Sequence, residues 1–288
     1  MIYYDKKGGE TDMLSRVGLI CDEGKDETLI YAEEASAYLR SKGIEIFRPD
    51  MDGPLTADAL ISFGGDGTLL RSVQYAVKDD IPLLGLNLGT LGFLTEEKPD
   101  DLRVILDVLI RQQYSMDSRR LLAITNGSSG EQFVALNDAV VTRGGYARLI
   151  SVEVTVDGER IGRFTADGII VSSPTGSTGY SLSAGGPVVA PAVECMVITP
   201  VCAHTMQRSP YIVPVDAEVT IEMLKERRHE AVLQVDGRNK CRLDAGSRIT
   251  ITDARKSVRL IRLKPYHFFS LTLKKLNEWG IGREYEPC

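Results

Sequence analysis

The stretch of sequence that decides the fold is ALISFGGDGTLLRSV, residues 59–73. Its first five residues, Ala59–Phe63, form a short, mainly apolar run that fits a buried strand. Two glycines follow at once, and apolar side chains then recur on one helical face at Leu69, Val73 and Val77. A strand, a glycine-rich turn and a helix in this order predict one repeat of a parallel α/β sheet.

The same pattern continues on both sides of this stretch. Gly43 ends the first predicted helix, and Pro99 precedes the helix that begins at Asp100. The predicted elements are strand Val17–Ile20, helix Asp26–Lys42, strand Ile44–Phe47, strand Ala59–Phe63, strand Ile81–Leu86 and helix Asp100–Gln113. These elements predict a helix-flanked parallel sheet for the first part of the chain.

Near residue 120 the pattern changes to strands, which predicts a second, mostly antiparallel domain. Two Asp-Gly pairs, Asp157-Gly158 and Asp236-Gly237, are typical of tight hairpin turns. The predicted strands are Leu149–Val156, Ile212–Met223, Ala231–Val235 and Arg248–Thr252. An amphipathic helix at Phe268–Trp279 is expected to return to the first domain. We therefore expect an N-terminal α/β domain over 1–118, completed by 265–288, and an all-β domain over 119–264.

Composition narrows the function classes. The 288 residues are 43% hydrophobic and 26% charged, with a formal net charge of −6, which suits two globular cores and offers no basic surface for nucleic acid. Five cysteines without a CxxC pair indicate free thiols in a reducing compartment. The first residues lack the apolar stretch of a signal peptide, and no apolar run reaches membrane-spanning length. A soluble cytoplasmic protein is expected.

The turn after Ala59–Phe63 predicts a phosphate site. Gly65 and Gly67 let a ligand approach the backbone, and the first amides of the helix attract anions. Thr68 adds a hydroxyl donor, and a phosphate oxygen lies within reach of Arg71 one turn later. Asp66 would repel phosphate unless it holds Mg²⁺ or accepts a proton from an attacking hydroxyl, and phosphoryl transfer needs both roles. The alternative interpretation is that Asp66 only caps the helix.

Four further stretches are candidate ligand contacts. Asn87 opens a glycine-spaced loop at the carboxyl end of a strand, where ligands bind in open α/β sheets. Asn137 and Asp138 could bind ribose hydroxyls or an adenine edge, although such a pair is also common in turns. Arg148 could balance phosphate charge. Contact of Asp236 with a ligand is a minority interpretation beside its role in a hairpin turn.

The richest candidate is DGIIVSSPTGSTGYSLSAGGP, residues 167–187. A strand that ends in small hydroxyl residues and glycines presents backbone amides and hydroxyls without bulk, which suits the sugars and phosphates of a nucleotide. Tyr180 could stack or hydrogen-bond there. An ordinary polar loop is the alternative.

Together GGDGT at 64–68, NLGTLGFL at 87–94, LND at 136–138, the 167–187 segment and ITPVCAHT at 198–205 resemble the NAD kinases, in order and in spacing. GGDGT alone is shared with diacylglycerol kinases, sphingosine kinases and phosphofructokinases. Its combination with the 167–187 segment is specific to the NAD kinases. The resemblance covers nearly the whole chain.

The resemblance implies an N-terminal Rossmann-like α/β domain, a C-terminal β-sandwich and an active site between them. There ATP, with Mg²⁺ or another divalent cation, would phosphorylate the 2′-hydroxyl of the adenosine ribose of NAD. Asp66 would accept the proton, while the metal ligands stay unassigned. The implied or suggested contacts with NAD and ATP are Gly65, Gly67, Thr68, Arg71, Asn87, Asn137, Asp138, Arg148, Asp167, Thr178, Gly179, Tyr180, Ser181, Leu182, Ser183 and Asp236. Family members form homodimers or homotetramers.

Two rival functions share features of this sequence. A diacylglycerol-type lipid kinase would use the same GGDGT turn with an apolar acceptor pocket. A dinucleotide-binding sensor would bind NAD without turning over ATP, and the presence of Asp66 argues against it. The acceptor hydroxyl follows from the resemblance alone.

Overall fold

The computed structural model describes residues 14–22, 24–49, 56–89, 92–95, 101–144, 149–204, 208–225 and 230–281. The chain divides into two compact units, of which the first is discontinuous in sequence. The first unit comprises Met1–Ser118 and Val258–Cys288, and the second comprises Arg119–Ser257.

Strands and helices are numbered in chain order. The strands are β1 (Arg16–Cys21), β2 (Glu45–Phe47), β3 (Ala59–Phe63), β4 (Leu83–Leu86), β5 (Ser115–Asn126), β6 (Gln132–Ala135), β7 (Asp138–Arg143), β8 (Ile150–Val156), β9 (Glu159–Ala166), β10 (Gly168–Ser172), β11 (Cys195–Val201), β12 (Tyr211–Pro214), β13 (Val219–Met223), β14 (Ala231–Val235), β15 (Arg238–Leu243) and β16 (Arg248–Arg262). The helices are α1 (Asp26–Ser41), α2 (Asp66–Lys78), α3 (Leu102–Ile110), α4 (Tyr180–Ser183) and α5 (Phe268–Ile281).

A parallel sheet forms the centre of the first unit. Its strand order is β2-β1-β3-β4, and the end of β16 adds to it where Leu260 pairs in parallel with Leu83. Strand β3 is buried along its whole length, which explains why its sequence is apolar rather than alternating.

Helices pack against the strands of this sheet. Apolar residues of α1 and α3, such as Leu39 and Leu106, share one core with Ile61 and Leu84 of the strands. Helix α2 lies against the other face of the sheet. Gly85, between Leu84 and Leu86, faces that side, and a Cβ added there would stand 2.4 Å from the Leu69 side chain of α2. The glycine-rich turn therefore joins a buried strand to a helix whose first residue is Asp66.

The end of the chain belongs to the first unit. Ile261 of β16 is buried in the same core as α1 and α3, and α5 follows. This grouping confirms the predicted return of a C-terminal helix. None of the helices within the described residues combines the length and the apolar character that crossing a membrane requires.

Antiparallel strands build the second unit. One sheet has the order β12-β11-β10-β7-β14-β15, and β8 pairs with both β9 and β13 outside it. Val141 and Leu233 of this sheet share a core with Val152 and Ile221 of β8 and β13. A core between two sets of antiparallel strands confirms the expected β-sandwich.

Two predicted hairpins are confirmed. Asp157 and Gly158 have φ values of 49° and 80° between β8 and β9, and Asp236 and Gly237 have values of 47° and 73° between β14 and β15. Positive φ at both central residues is what a type I′ turn requires.

One predicted strand is wrong. Residues Ile212–Met223 form two strands, β12 and β13, because the chain turns where the Ala217 amide donates to the Pro214 carbonyl at 3.2 Å. Val215 and Ala217 are buried inside this turn, so the apolar alternation continues through it. The last strand is also longer than predicted, since β16 runs well beyond Thr252.

Candidate active site

Asp66 is the first residue of α2 and lies where β3 ends. Gly65 precedes it in extended conformation as the N-cap, and the Asp66 side chain is half-buried. A carboxylate in the first turn of a helix interacts favourably with the helix dipole. The capping alternative is incomplete, however, because most of the donors to this carboxylate come from another segment.

The other segment is residues 92–95, which we call the Asp66 loop. Oδ2 of Asp66 accepts a hydrogen bond from the Phe93 amide at 2.7 Å. Oδ1 accepts three, from the Leu94 amide at 3.1 Å, the Thr95 amide at 3.0 Å and the Thr95 hydroxyl at 2.9 Å. A carboxylate offers about four lone-pair sites, two on each oxygen. Oδ1 is therefore saturated, whereas Oδ2 can accept one more donor.

Gly92 is the residue that lets the Asp66 loop come this close. A Cβ at position 92 would lie 1.8 Å from Oδ1 of Asp66 and 2.5 Å from the Thr95 hydroxyl oxygen. Such distances are far inside van der Waals contact, and both oxygens are held in place by the hydrogen bonds between Asp66 and Thr95. The second glycine of the NLGTLGFL stretch is thus required by its contact with the carboxylate.

Three predicted ligand contacts of the first unit, Thr68, Arg71 and Asn87, have hydrogen-bond partners within the protein. Nη2 of Arg71 donates to the Thr68 hydroxyl at 3.0 Å and forms an ion pair with Oδ1 of Asp22 at 3.3 Å. Asn87 is buried, and its Oδ1 accepts from the Gly89 amide at 2.8 Å. Asp22 and Thr68 hold the guanidinium of Arg71 on the helix, about one-third exposed.

In the second unit, Asn137 and Asp138 stand at the start of β7. The side-chain oxygen of Asn137 is buried and, among the described residues, has no hydrogen-bond partner. An unpartnered buried acceptor costs free energy unless a ligand or water donates to it. Asp138 is 5% exposed.

Asp236 holds the backbone of these two residues. Its Oδ2 accepts from the Leu136 amide at 3.0 Å, and its Oδ1 accepts from the amides of Asn137 at 2.8 Å and Asp138 at 3.2 Å. The three hydrogen bonds turn Asp236 toward the protein backbone. Asp236 therefore positions the Asn137-Asp138 pair in this structure.

The buried carboxyl group of Asp138 and the half-buried one of Asp236 lie close together here. Burial, and then repulsion from Asp236, raise the pKa of Asp138 from 3.8 to about 7. Burial also raises the pKa of Asp236, against its three backbone hydrogen bonds and the charge of Lys240. The pair is therefore a site where a proton or a hydrogen-bond donor from a ligand is favoured.

Asp167 and Tyr180 form the second polar group of this unit. Oδ1 of Asp167 is paired with Nε of Arg143 at 2.9 Å. Tyr180 is 44% exposed, and burial followed by the charges of Asp167, Cys202 and Asp138 raises the pKa of its phenol. The tyrosine thus stands near both Asp138 and Asp167.

The segment after β10 is tightly held by its own hydrogen bonds. A Cβ at Gly176 would lie 2.0 Å from the Asn137 carbonyl oxygen, so this turn lies directly against Asn137. The Thr178 hydroxyl donates to the Thr175 carbonyl at 3.2 Å, and the Ser181 hydroxyl shares a hydrogen bond of 2.9 Å with Thr199. Tyr180 and Ser183 are exposed, Gly179 and Leu182 half-buried, and Ser181 buried.

The predicted residues therefore collect into two groups, one in each unit. The first unit holds Gly65, Asp66, Gly67, Thr68, Arg71 and Asn87. The second holds Asn137, Asp138, Asp167, Thr178, Gly179, Tyr180, Ser181, Leu182, Ser183 and Asp236, while Arg148 lies outside the described residues. Sequence reasoning did not identify Thr95 or Arg143, although Thr95 follows the glycine-spaced loop directly.

Protein families match both parts of the chain. Residues 47–114 match the ATP-NAD kinase N-terminal domain, and residues 136–263 match the ATP-NAD kinase C-terminal domain. An NAD kinase of Lachnoclostridium phytofermentans is 36% identical over 90% of this chain and 98% of that protein. An NAD kinase of Gemmatimonas aurantiaca is 41% identical over 83% of each chain.

Solved structures agree with the fold. Yeast NADH kinase complexed with NADH has a TM-score of 0.81 at 24% identity, covering 96% of this chain and 90% of that one. An NAD kinase from Archaeoglobus fulgidus in complex with ATP has a TM-score of 0.72 at 26% identity, covering 91% and 98%. At 24% identity, the match to yeast NADH kinase shows similarity of fold alone.

Proposed function

This chain belongs to the NAD kinase family, and we propose how its described residues carry out the reaction of that family. The enzyme transfers the terminal phosphoryl group of ATP to the 2′-hydroxyl of the adenosine ribose of NAD, giving NADP and ADP. The observation that carries the assignment of roles is the Oδ2 atom of Asp66, which accepts one hydrogen bond where Oδ1 accepts three, at the first turn of α2.

Oδ2 of Asp66 is the proton acceptor in this proposal. Its one hydrogen bond comes from Phe93, whereas Oδ1 already accepts three. The remaining lone pair of Oδ2 can accept the proton of the attacking hydroxyl as the oxygen–phosphorus bond forms. General-base help is one part of such catalysis, since most of it comes from positioning and neutralising the phosphates.

The turn Gly64–Thr68 supplies the phosphate contacts in this proposal. The first amides of α2 donate to phosphate oxygens, and Gly67 leaves room for the ligand, since a Cβ there would meet nothing within 4 Å. Arg71, held by Asp22 and Thr68, contributes positive charge from the next turn of the helix.

The second unit binds the dinucleotide in this proposal. The buried oxygen of Asn137 accepts from a donor on the ligand, which removes the cost of leaving it unpartnered. Asp138 and Asp167 accept from ribose hydroxyls, and Tyr180 with the segment Thr178–Ser183 lines the pocket. Asp236 acts indirectly, because its carboxylate accepts hydrogen bonds from the Asn137 and Asp138 amides and so positions both residues.

A divalent cation fits the first unit only as a companion of ATP. Within the described residues there is no group of three or more His, Cys, Asp or Glu side chains that could hold a metal ion. Mg²⁺ is often bound by one or two carboxylates together with substrate phosphates. When bound, it would neutralise the charge of the ATP phosphates.

We also propose that the protein works in the cytoplasm as a homodimer or homotetramer. Scattered free thiols support the reducing compartment, since Cys195, Cys202 and Cys241 form no disulfide among the described residues. The oligomer rests on the likeness to the family, and light scattering on the purified protein tests it. No observation favours the lipid kinase or the sensor.

Replacement Asp66→Asn tests the proposed base. The amide cannot take up the proton, so turnover of NAD to NADP should fall by about 10²- to 10⁴-fold. NAD binding should be largely retained, because the dinucleotide contacts lie in the second unit. Turnover is measured with Mg²⁺, ATP and NAD and read by an NADP-specific dehydrogenase, and binding by calorimetry.

The matched control is Asp80→Asn, the same chemical change at a surface carboxylate that pairs with Arg259. It should leave turnover near that of the parent. Near-normal turnover of Asp66→Asn would contradict the base assignment. Saturable NAD binding without any NADP from the parent protein would instead support a sensor, and parallel reactions with diacylglycerol and polyphosphate test the substrate range.

A further inference from the structure

The Asp66 loop is held by residues that have no assigned part in the reaction. We propose that Thr95 and Arg262 are positioning residues, which fix the orientation of the Asp66 carboxylate through the Asp66 loop. This inference rests on the proposed function, since it presumes that Asp66 is the proton acceptor. Neither residue contacts the substrate in the proposal.

Thr95 makes two of the four hydrogen bonds to Asp66. Its amide and its hydroxyl both donate to Oδ1, at 3.0 and 2.9 Å. The residue is 0% exposed, so its hydroxyl has no access to bulk water as an alternative acceptor. Because Thr95 occupies Oδ1, the oxygen left for the reaction is Oδ2.

Arg262, near the end of β16, also contacts the Asp66 loop. Its Nη1 donates to the Leu94 carbonyl at 2.7 Å, and the amide of Leu94 in turn donates to Asp66. Nε and Nη2 of Arg262 are ion-paired with Oδ2 of Asp117 at 3.0 and 2.9 Å. The guanidinium carbon lies 4.4 Å from the ring centroid of Tyr266. Nε and Nη1 thus donate hydrogen bonds, and Nη2 lies in the ion pair with Asp117.

The Arg262 side chain is 5% exposed, so water screens its electrostatic interactions only weakly. A buried charge is stabilised by a paired carboxylate and by hydrogen bonds, and the Asp117 ion pair and the Leu94 carbonyl provide both for Arg262. The Phe93 ring has a second cation near it, with Nζ of Lys275 at 5.6 Å from its centroid. Side chains from β16 and α5 therefore anchor two residues of the Asp66 loop.

The loop needs such anchoring because residues 92–95 belong to no helix or strand. Without a regular hydrogen-bonding pattern, the positions of the Phe93, Leu94 and Thr95 amides depend on these side chains. A shift of the loop would turn the carboxylate and move Oδ2. Misplacing a reacting group by about 1 Å can cost on the order of 100-fold in rate.

The first test is Thr95→Val, which removes the hydroxyl and keeps the amide and the shape. We expect kcat to fall about 10-fold, with KM for NAD and the melting temperature close to those of the parent. Thr95→Ser restores a hydroxyl at the same place and should recover most of the lost kcat. A Thr95→Val enzyme with the parent kcat would overturn the role of Thr95.

The second test is Arg262→Met, which replaces the aliphatic part of the side chain and removes the guanidinium with its hydrogen bonds. We expect a fall in kcat of about 10- to 100-fold at a smaller change in KM. The matched control is Arg259→Met, at an arginine on the same strand that pairs with Asp80 at the surface. If Arg262→Met does not fold, Arg262→Lys replaces it and should lose kcat while remaining folded. A parent-like kcat in the folded variant would overturn the role of Arg262.

A double-mutant cycle with Asp66→Asn separates the inference from the function on which it rests. If Thr95 acts through Asp66, Thr95→Val should change the residual rate of Asp66→Asn by less than about 2-fold. An equal loss in both backgrounds would overturn the inference and leave the function intact. Normal turnover of Asp66→Asn alone would overturn the proposed base instead.

Discussion

At the scale of single residues, the second unit places the buried carboxyl group of Asp138 close to the half-buried carboxyl group of Asp236. Asp236 faces three backbone amides, while Asp138 has the repulsion of Asp236 added to its burial. The arrangement has an unfavourable electrostatic cost in the folded protein. Such costs are typical of binding sites, where a ligand supplies the missing donors.

This cost predicts a pH dependence of stability. Between about pH 4 and about pH 7 the folded chain holds a proton on Asp138 that the unfolded chain has lost, so stability falls as pH rises through this range. Asp138→Asn removes the titrating group. The variant should therefore gain free energy of unfolding relative to the parent as pH rises from 5 to 8.

Urea unfolding followed by circular dichroism at several pH values measures this difference. The gap between the two proteins should widen up to about pH 7 and then stay constant, because both folded and unfolded Asp138 are ionised above it. Parallel pH curves for the parent and Asp138→Asn would show that Asp138 does not have the raised pKa.

The residues of the first site differ in how well they can be predicted from the sequence. Asp66 stands in a short glycine-rich turn, and its chemistry follows from that local pattern. The hydroxyl of Thr95 reaches Asp66 across 29 positions, and Arg262 reaches Leu94 across 168. Pairs at such separations leave no local signal, so only the folded chain reveals them.

At the scale of elements, local chemistry determines the hairpins. The β8–β9 turn has two residues in positive φ, and the Glu218 amide donates to Oδ1 of Asp157 at 2.8 Å. Glycine takes up such a conformation without strain, and aspartate tolerates it better than most residues with a Cβ do. The Asp-Gly pair therefore sets the pairing of the two strands.

Replacing Gly158 by alanine tests this dependence. Its φ of 80° should make Gly158→Ala less stable by about 1 kcal/mol, although open space surrounds the new Cβ. The measurement is the urea midpoint of unfolding, with turnover as the control, since this hairpin holds no proposed site residue. An unchanged midpoint would mean that the turn adapts without strain.

Among the elements, those with turn or glycine signals at both ends were predictable. Ala59–Phe63 and Ala231–Val235 are observed with the predicted bounds. Ile212–Met223 was not, because Val215 and Ala217 stay buried while the chain turns. Apolar alternation reports burial, and burial continues through turns that pack against a core.

At the scale of the whole molecule, the first unit is made from two distant pieces of chain. The end of β16 extends its parallel sheet, and α5 carries Lys275 to the ring of Phe93. The second unit is continuous over Arg119–Ser257. The two units therefore depend differently on the last part of the chain.

Deletion of the residues after Lys264 should affect the first unit selectively. Without α5, the buried contacts of Thr272 and Lys275 are lost, and amides of β1 and β3 should exchange hydrogen faster. Amides of β7 and β10 in the second unit should keep their protection. Hydrogen exchange read by mass spectrometry distinguishes this from an equal loosening of both units, which would contradict the prediction.

The discontinuous first unit also has a consequence for synthesis. A ribosome delivers the chain from its N-terminus, and a unit can finish folding only when all of its pieces have emerged. The second unit is complete in sequence by Ser257, whereas β1–β4 must wait for Arg262 and α5. The β-sandwich should therefore reach its final form first, and the carboxylate of Asp66 should be fixed in place only after Arg262 and α5 have left the tunnel.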